Sequence, residues 1–278
     1  MPWRTVADGA PQRGRTRARR RAVRRGAPPP LYAACALFLD IDGTLIDLAP
    51  TPDRVRVDAD VATLLPVLSR RLGGALALIT GRALADAERL FPGLALPIAG
   101  QHGLERRAAD GSIGRHERSA PSLARLRHEL ERFAARHEGL LLEDKGATLA
   151  MHYRQAPGLA SHVHRTLRAQ LAAATGVAAW HLQPGKGILE ITPDGHDKGT
   201  AIREYMMEQP FRGRVPVFVG DDRTDEYGFG AVTHLGGWAI KVGAGGTCAR
   251  FRLADVAAVG RWLTAALVPT ESSASETA

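Results

Sequence analysis

Leu37-Phe38-Leu39-Asp40-Ile41-Asp42-Gly43-Thr44 is an apolar run that stops at two aspartates one residue apart. Side chains alternate along a strand, so Asp40 and Asp42 would share a face if the strand continued. Asp42-Gly43-Thr44 is turn chemistry, with Gly43 free to take backbone conformations closed to other residues. Both carboxylates are therefore expected at the strand's carboxyl end, where open α/β sheets bind their ligands. Carboxylates held this close repel unless a cation or a shared proton intervenes. A magnesium-like ion with hard oxygen ligands is the simplest answer, and a carboxylate can also act as a covalent nucleophile. A strand followed by an acidic helix cap is the competing reading of the stretch taken alone.

Working outward, Cys35 to Leu39 is the strand and Leu45 to Arg56 a proline-punctuated connection. Asp58 to Leu72 carries helical apolar spacing at Val61, Leu64, Leu65 and Leu68, with Asp58 as N-cap and Gly73-Gly74 as the stop. Ala75 to Ile79 is a second apolar run, and Ala83 to Leu90 a second helix. Strand, helix, strand, helix implies a parallel sheet covered on both faces. Thr80 stands at the same end of its strand as Asp40, and a hydroxyl there beside the Gly81 amide, with Arg82 next, makes an anion site.

After Ile98 to Glu105, a strand with a tight glycine loop, the character changes. Residues 109–192 parse as helix (Pro121 to His137), strands (Leu140 to Lys145, Ala147 to Arg154), helix (Pro157 to Thr175) and strands (Val177 to Gln183, Lys186 to Thr192), with turns at Gly146 and Pro184-Gly185. This is an antiparallel α+β module inserted in a parallel domain. Leu149, Met151 and Tyr153 fall on one face of their strand, His152 and Arg154 on the other. Glu143 pairs by period with Lys145, and Lys186 with Glu190. Each of these alone reads as a solvated side chain, and His152 as structural. The six at matched spacing suit a hydroxyl-rich anion, with Arg and Lys meeting phosphate and Glu accepting from sugar hydroxyls.

The parallel pattern resumes at Asp197-Lys198-Gly199, which opens a helix through Met207. A lysine opposes the helix dipole there and fits better against carboxylates or phosphate. Val215 to Val219 is a buried strand running into Gly220-Asp221-Asp222-Arg223-Thr224-Asp225-Glu226, acids that need a cation if they converge. Trp238 to Val242 and a helix from Ala254 to Leu267 complete the sheet.

The 278 residues, 45% hydrophobic, suffice for one large domain or two modest ones. The net charge of +8 is confined to residues 1–30, which hold nine arginines and one acid; the rest is balanced at 28 basic and 28 acidic residues. The arginine run from 13 to 25 has no interleaved aromatics and no nucleic-acid module. It reads as a solvated, disordered extension, with nonspecific polyanion contact as the alternative. Cys35 and Cys248 do not make a disulfide framework. With no apolar run of membrane-spanning length and no signal-type apolar segment, a soluble, cytoplasmic monomer is expected.

Asp40-Ile41-Asp42-Gly43-Thr44, Thr80, Lys198 and Gly220-Asp221-Asp222, in that order, resemble the four motifs of the haloacid dehalogenase (HAD) superfamily of phosphatases. More narrowly, Gly220-Asp221-Asp222-Arg223-Thr224-Asp225-Glu226, Gln101-His102-Gly103, Glu143 and Lys145 leading to His152-Tyr153-Arg154, and Gly185-Lys186 with Glu190 resemble the trehalose-6-phosphate phosphatases. The resemblance spans roughly residues 34–267.

It implies an α/β fold: a Rossmannoid parallel-sheet core (31–108 plus 193–268) with an inserted C2-type αββαββ cap (109–192), between extensions 1–30 and 269–278. By this resemblance Asp40 attacks phosphorus and Asp42 protonates the leaving oxygen, then activates water. Mg2+ is held by Asp40, the Asp42 carbonyl and Asp221, with Asp222, Asp225 and Thr44 in support. Thr80 and Lys198 bind phosphoryl oxygens. Gly81, Arg82, His102, Glu143, Lys145, His152, Arg154, Lys186 and Glu190 contact trehalose 6-phosphate. Another capped sugar phosphatase, acting on sucrose phosphate or mannosyl-phosphoglycerate, is the nearest alternative; a catalytically idle protein acting through its basic tail is the remote one.

Overall fold

The structure, a computed structural model, describes residues 26–48, 55, 57–115, 121–174 and 180–268. The arginine run, the 269–278 extension and the expected strand start at Val177 lie outside these residues.

The chain begins with β1 (Cys35–Leu39), wholly buried. Helix α1 (Ala59–Arg71) follows, and the Asp58 side chain caps it by accepting from the Asp60 amide. Next come β2 (Leu76–Ile79), α2 (Leu84–Leu90) and β3 (Ile98–Gly100), then a 3₁₀ turn over Gln101–Gly103 that leads to the antiparallel β4 (Glu105–Arg107) and β5 (Ile113–Arg115). Helix α3 (Pro121–Ala134), β6 (Leu141–Asp144), β7 (Leu149–His152), α4 (Ala160–Ala173), β8 (Trp180–Gly185) and β9 (Ile188–Pro193) form the inserted module. The chain returns through α5 (Lys198–Met206), β10 (Val215–Gly220), α6 (Asp225–His234), β11 (Trp238–Val242), β12 (Phe251–Leu253) and α7 (Val256–Ala265).

The large sheet has eight strands in the order β12-β11-β10-β1-β2-β3-β4-β5. It is parallel from β12 to β3 and antiparallel at the β4 and β5 edge. Alternation along β1 explains why it is covered on both faces. Cys35, Leu37 and Leu39 pack with Leu65, Leu68, Leu84 and Leu263 from α1, α2 and α7. Ala36 and Phe38 pack with Ile202, Tyr205, Phe229 and Val232 from α5 and α6. Since β1 pairs with β10 and β2 on its two sides, the loops after β1, β2 and β10 emerge together at one end of the sheet.

The second sheet, in the order β6-β7-β9-β8, is antiparallel throughout. One face is apolar: Leu149, Met151, Leu189 and Ile191 meet Leu126 and Leu130 of α3 and Val163 and Leu167 of α4. The other face is left for polar side chains.

The structure corrects the sequence reading in four places. The β8–β9 turn is Lys186-Gly187, two residues later than Pro184-Gly185, because Pro184 sits in an edge strand, where no ladder amide is missed, and Gly187 takes φ +73°. Strand β5 belongs to the large sheet, so the division expected at residue 109 runs through the β4–β5 hairpin. Helix α6 and strand β12 had no counterpart in the sequence reading. Among the described residues, no helix is long and apolar enough to cross a membrane.

Candidate active site

Asp40 follows β1 directly and is 4% exposed. Its Oδ1 accepts from Lys198 Nζ at 2.6 Å and its Oδ2 from the Thr44 hydroxyl at 3.3 Å. Lys198 is the first residue of α5, held there by a capping box in which Asp197 accepts from the Thr200 amide at 2.7 Å. The same ammonium donates to Asp225 Oδ1 at 2.7 Å. Asp225 is fully buried, and its Oδ2 accepts from the amides of Asp221 and Asp222, both at 2.7 Å. The acidic stretch after β10 is thus folded around one of its own carboxylates rather than left as a repelling cluster.

Asp221, also buried, receives Lys186 of the β8–β9 turn on its carboxylate and Lys241 on its carbonyl. Gly43, at φ +81°, lies against this carboxylate; a Cβ there would meet Asp221 Oδ2 at 2.1 Å. The carboxylates of Asp40, Asp221 and Asp225 place oxygens within 4.8 Å of one another. Burial raises the proton affinity of Asp40 well above the usual range, Asp225 and Asp221 add to it, and Lys198 opposes. Burial also raises Asp221, against the pull of Lys186. Lys198 itself is pushed up: burial acts against its charge, but Asp225 and Asp40 outweigh that, so it stays an ammonium. Hard carboxylate oxygens whose charge two lysines offset only in part fit a divalent cation of the magnesium type.

The Asp42 carboxylate pairs with Arg82, which donates from Nε and Nη2 at 2.6 Å each. Thr80, 1% exposed, accepts from the Arg82 amide at 3.1 Å, which fixes the loop after β2. Arg82, expected at the substrate, lines the cleft and gives these two donors to Asp42.

Above these residues the polar face of the second sheet closes a cleft. It is lined from below by Asp40, Asp42, Thr80, Gly81, Arg82, Lys198, Asp221 and Asp222. Glu143, Lys145, His152, Arg154, Lys186 and Glu190 line it from above, with His102 at the side. Thr44 and Asp225 sit behind, holding Asp40 and the Asp221 loop.

His152 Nε2 lies 2.7 Å from Glu143 Oε2; burial would raise Glu143, but His152 and Lys145 bring it below the usual range. Arg154 donates to the Lys186 carbonyl at 2.9 Å. Glu190, expected to meet sugar, has both oxygens engaged: Oε1 accepts from Thr148 at 2.6 Å and Lys145 at 3.4 Å, and Oε2 lies 3.2 Å from His102 Nε2. Burial would raise it, yet Lys145, His102 and Thr148 hold it far below the carboxylate range. Lys145 also reaches the Gly81 carbonyl at 2.8 Å, and Gln101 joins the two sheets by donating to the Lys145 carbonyl at 2.8 Å and accepting from Thr148 at 3.2 Å. Gln101 and Thr148 were not singled out in the sequence. Gln101 alone had a signal, since it begins the Gln-His-Gly stretch, and it and His102 take φ +45° and +58°.

The trehalose-phosphatase family profile matches residues 38–256. A Sinorhizobium fredii protein named "Probable trehalose-phosphate phosphatase" is 45% identical over 75% of this chain and 77% of its own length. The Escherichia coli K12 trehalose-6-phosphate phosphatase is 43% identical over 84% of this chain and 87% of its own. In fold, the C-terminal domain of the Candida albicans trehalose-6-phosphate phosphatase superposes with a TM-score of 0.75 at 18% identity, covering 84% of this chain and 91% of that one.

Proposed function

The chain belongs to the trehalose-phosphatase family, and from that premise we propose that it hydrolyses trehalose 6-phosphate to trehalose and phosphate. The observation that carries the reading is the contact of Lys198 with Asp40 on the floor of a cleft roofed by the cap's polar face.

In the proposed mechanism Asp40 attacks phosphorus in line, forming the aspartyl-phosphate as the sugar oxygen departs. Asp42 gives that oxygen its proton, then takes one from the water that cleaves the acyl phosphate, which regenerates Asp40. Lys198 and Thr80 bind phosphoryl oxygens, and Lys198 offsets charge around Asp40. Asp40, Asp221 and the Asp42 carbonyl would hold Mg2+, with Asp222 and Asp225 supporting them. The bound ion would neutralise charge on the phosphoryl group and the carboxylates. Glu143, Lys145, His152, Arg154 and Lys186 recognise the sugar phosphate, and the cap excludes water. A monomer acting in the cytoplasm is part of the same reading.

The test is phosphate release from trehalose 6-phosphate, sucrose 6-phosphate and glucose 6-phosphate, with magnesium and with a chelator. Preference for the trehalose ester with magnesium is expected; equal rates on all three would remove the substrate assignment. Asp40→Asn should abolish turnover in a folded protein, and residual turnover would remove Asp40 as nucleophile.

A further inference from the structure

Gln183 lies on β8, is 5% exposed and lines the cleft. Its side-chain carbonyl oxygen is buried without a hydrogen-bond partner. Such an oxygen loses its hydration and gains nothing in return, so native proteins keep few of them. Its place in the sheet explains where it points. Trp180 and Leu182 face the apolar side of the module, which turns Gln183 to the polar side. There the registers Glu143↔Ala150, Ala150↔Glu190 and Glu190↔Gln183 set four residues in one row across the sheet. Glu143 and Gln183 are the ends of that row, three strand spacings or about 14 Å apart, with the small Ala150 leaving room between. In the next row Ile188 and Gly185 pair and also line the cleft, an apolar patch beside the polar one.

Glu190, Gln183's cross-strand neighbour, is committed to Thr148, Lys145 and His102. A second unpartnered polar atom lies in the same cleft: His102 Nδ1 is likewise buried without a partner, while its Nε2 lies 3.2 Å from Glu190 Oε2. A buried acceptor and an unpartnered imidazole nitrogen in one cleft call for a ligand that brings several hydroxyls, which both donate and accept, and an apolar ring face at once. Ring hydroxyls of a sugar do so.

We propose that Gln183 is a substrate-recognition residue whose side-chain carbonyl accepts a ring hydroxyl of the sugar phosphate. This rests on the proposed activity, and it assigns a contact at the far end of the polar row that makes the site select a sugar wider than one ring. A substrate lacking that hydroxyl leaves the oxygen buried and unpaired, so the contact discriminates as well as binds.

The test replaces the acceptor without opening a hole. Gln183→Met keeps the length of the side chain and removes the buried polar group. Trehalose 6-phosphate and p-nitrophenyl phosphate are assayed on the same preparation, so the ratio of their kcat/KM values does not depend on the folded fraction. The ratio is expected to fall about tenfold, the size of one neutral hydrogen bond, with the loss carried by KM for the sugar ester. The thermal midpoint without substrate should hold or rise, because the orphaned oxygen is gone. A ratio within twofold of the unmodified protein overturns the role of Gln183. If the unmodified protein cleaves trehalose 6-phosphate no better than glucose 6-phosphate, it is the proposed activity that falls.

Discussion

The Arg82 guanidinium holds the Asp42 carboxylate through two parallel hydrogen bonds, Nε to Oδ2 and Nη2 to Oδ1, each 2.6 Å long. This bidentate pair fixes the orientation of a carboxylate whose proposed task is proton transfer. Arg82→Ala should therefore slow trehalose 6-phosphate hydrolysis by about 10–100-fold, part of what general acid catalysis contributes. The loss should be much smaller on p-nitrophenyl phosphate, whose leaving group departs without a proton. Lysine lacks the fork and should restore little. Equal losses on both esters would show that Arg82 serves phosphate binding rather than Asp42.

Lys198 is 3% exposed and is shared by Asp40 and Asp225. Lys198→Met leaves two buried carboxylates without their cation, and breaking a buried pair in this way costs about 3–5 kcal/mol. At about 2–4 °C per kcal/mol for a domain of this size, the thermal midpoint should drop by roughly 10 °C. Added magnesium should recover part of that. A midpoint within 2 °C of the unmodified protein would show that the lysine is not what stabilises the acids.

Much of the core is legible in sequence because its signals are local. Cys35 to Leu39 alternates between two apolar faces, and Asp58 caps the following helix, so both bounds could be read from neighbours. Helix α6 is illegible for the opposite reason: Gly228 and Gly230 lower its helix propensity, and its first acid, Asp225, is spent on the amides of the preceding loop. At Gly228 a Cβ would meet the Phe218 ring at 2.4 Å, a packing demand set by a residue on another element. The six polar residues of the cap could be chosen by period. Which of them would be spent on protein contacts could not, because Glu190 meets His102 across 88 residues of chain; in the core, the pairing of Arg82 with Asp42 across 40 residues was hidden for the same reason.

Gly43 tests how tightly the turn after β1 fits the acid loop. At φ +81°, with Asp221 Oδ2 only 2.1 Å from where a Cβ would lie, Gly43→Ala forces both a left-handed alanine and displacement of the carboxylate. Activity should fall at least about a hundredfold, since an ångström of misplacement at a catalytic group has that effect. Higher magnesium should recover some of it. Undiminished activity would mean that the turn and Asp221 move independently.

Glu190 ties the cap to the core, and its folded-state proton affinity is lowered by Lys145, His102 and Thr148 in spite of burial. A depressed carboxylate contributes stability above its unfolded pKa of about 4.3, and that stability is lost as pH falls below it. Glu190→Gln should thus lower the thermal midpoint by several degrees at pH 7, and the gap should narrow as pH falls below about 4. A gap that does not change with pH would place the effect in packing rather than charge.

Metal binding should be visible in stability without any turnover. The oxygens of Asp40, Asp221 and Asp225 lie within 4.8 Å of one another, and burial keeps Asp40 and Asp221 partly uncompensated despite Lys198 and Lys186. A cation bound only by the folded state adds about 2.7 kcal/mol when free metal is a hundred times the dissociation constant. Magnesium should therefore raise the thermal midpoint by roughly 5–10 °C, and a chelator should reverse the rise. Asp221→Asn keeps the shape of the side chain and removes one charged ligand, so the magnesium-dependent rise should shrink or vanish. The chelated midpoint should hold or climb, because a repelling carboxylate has gone. A full magnesium shift in Asp221→Asn would exclude Asp221 from the cation site and move attention to Asp225.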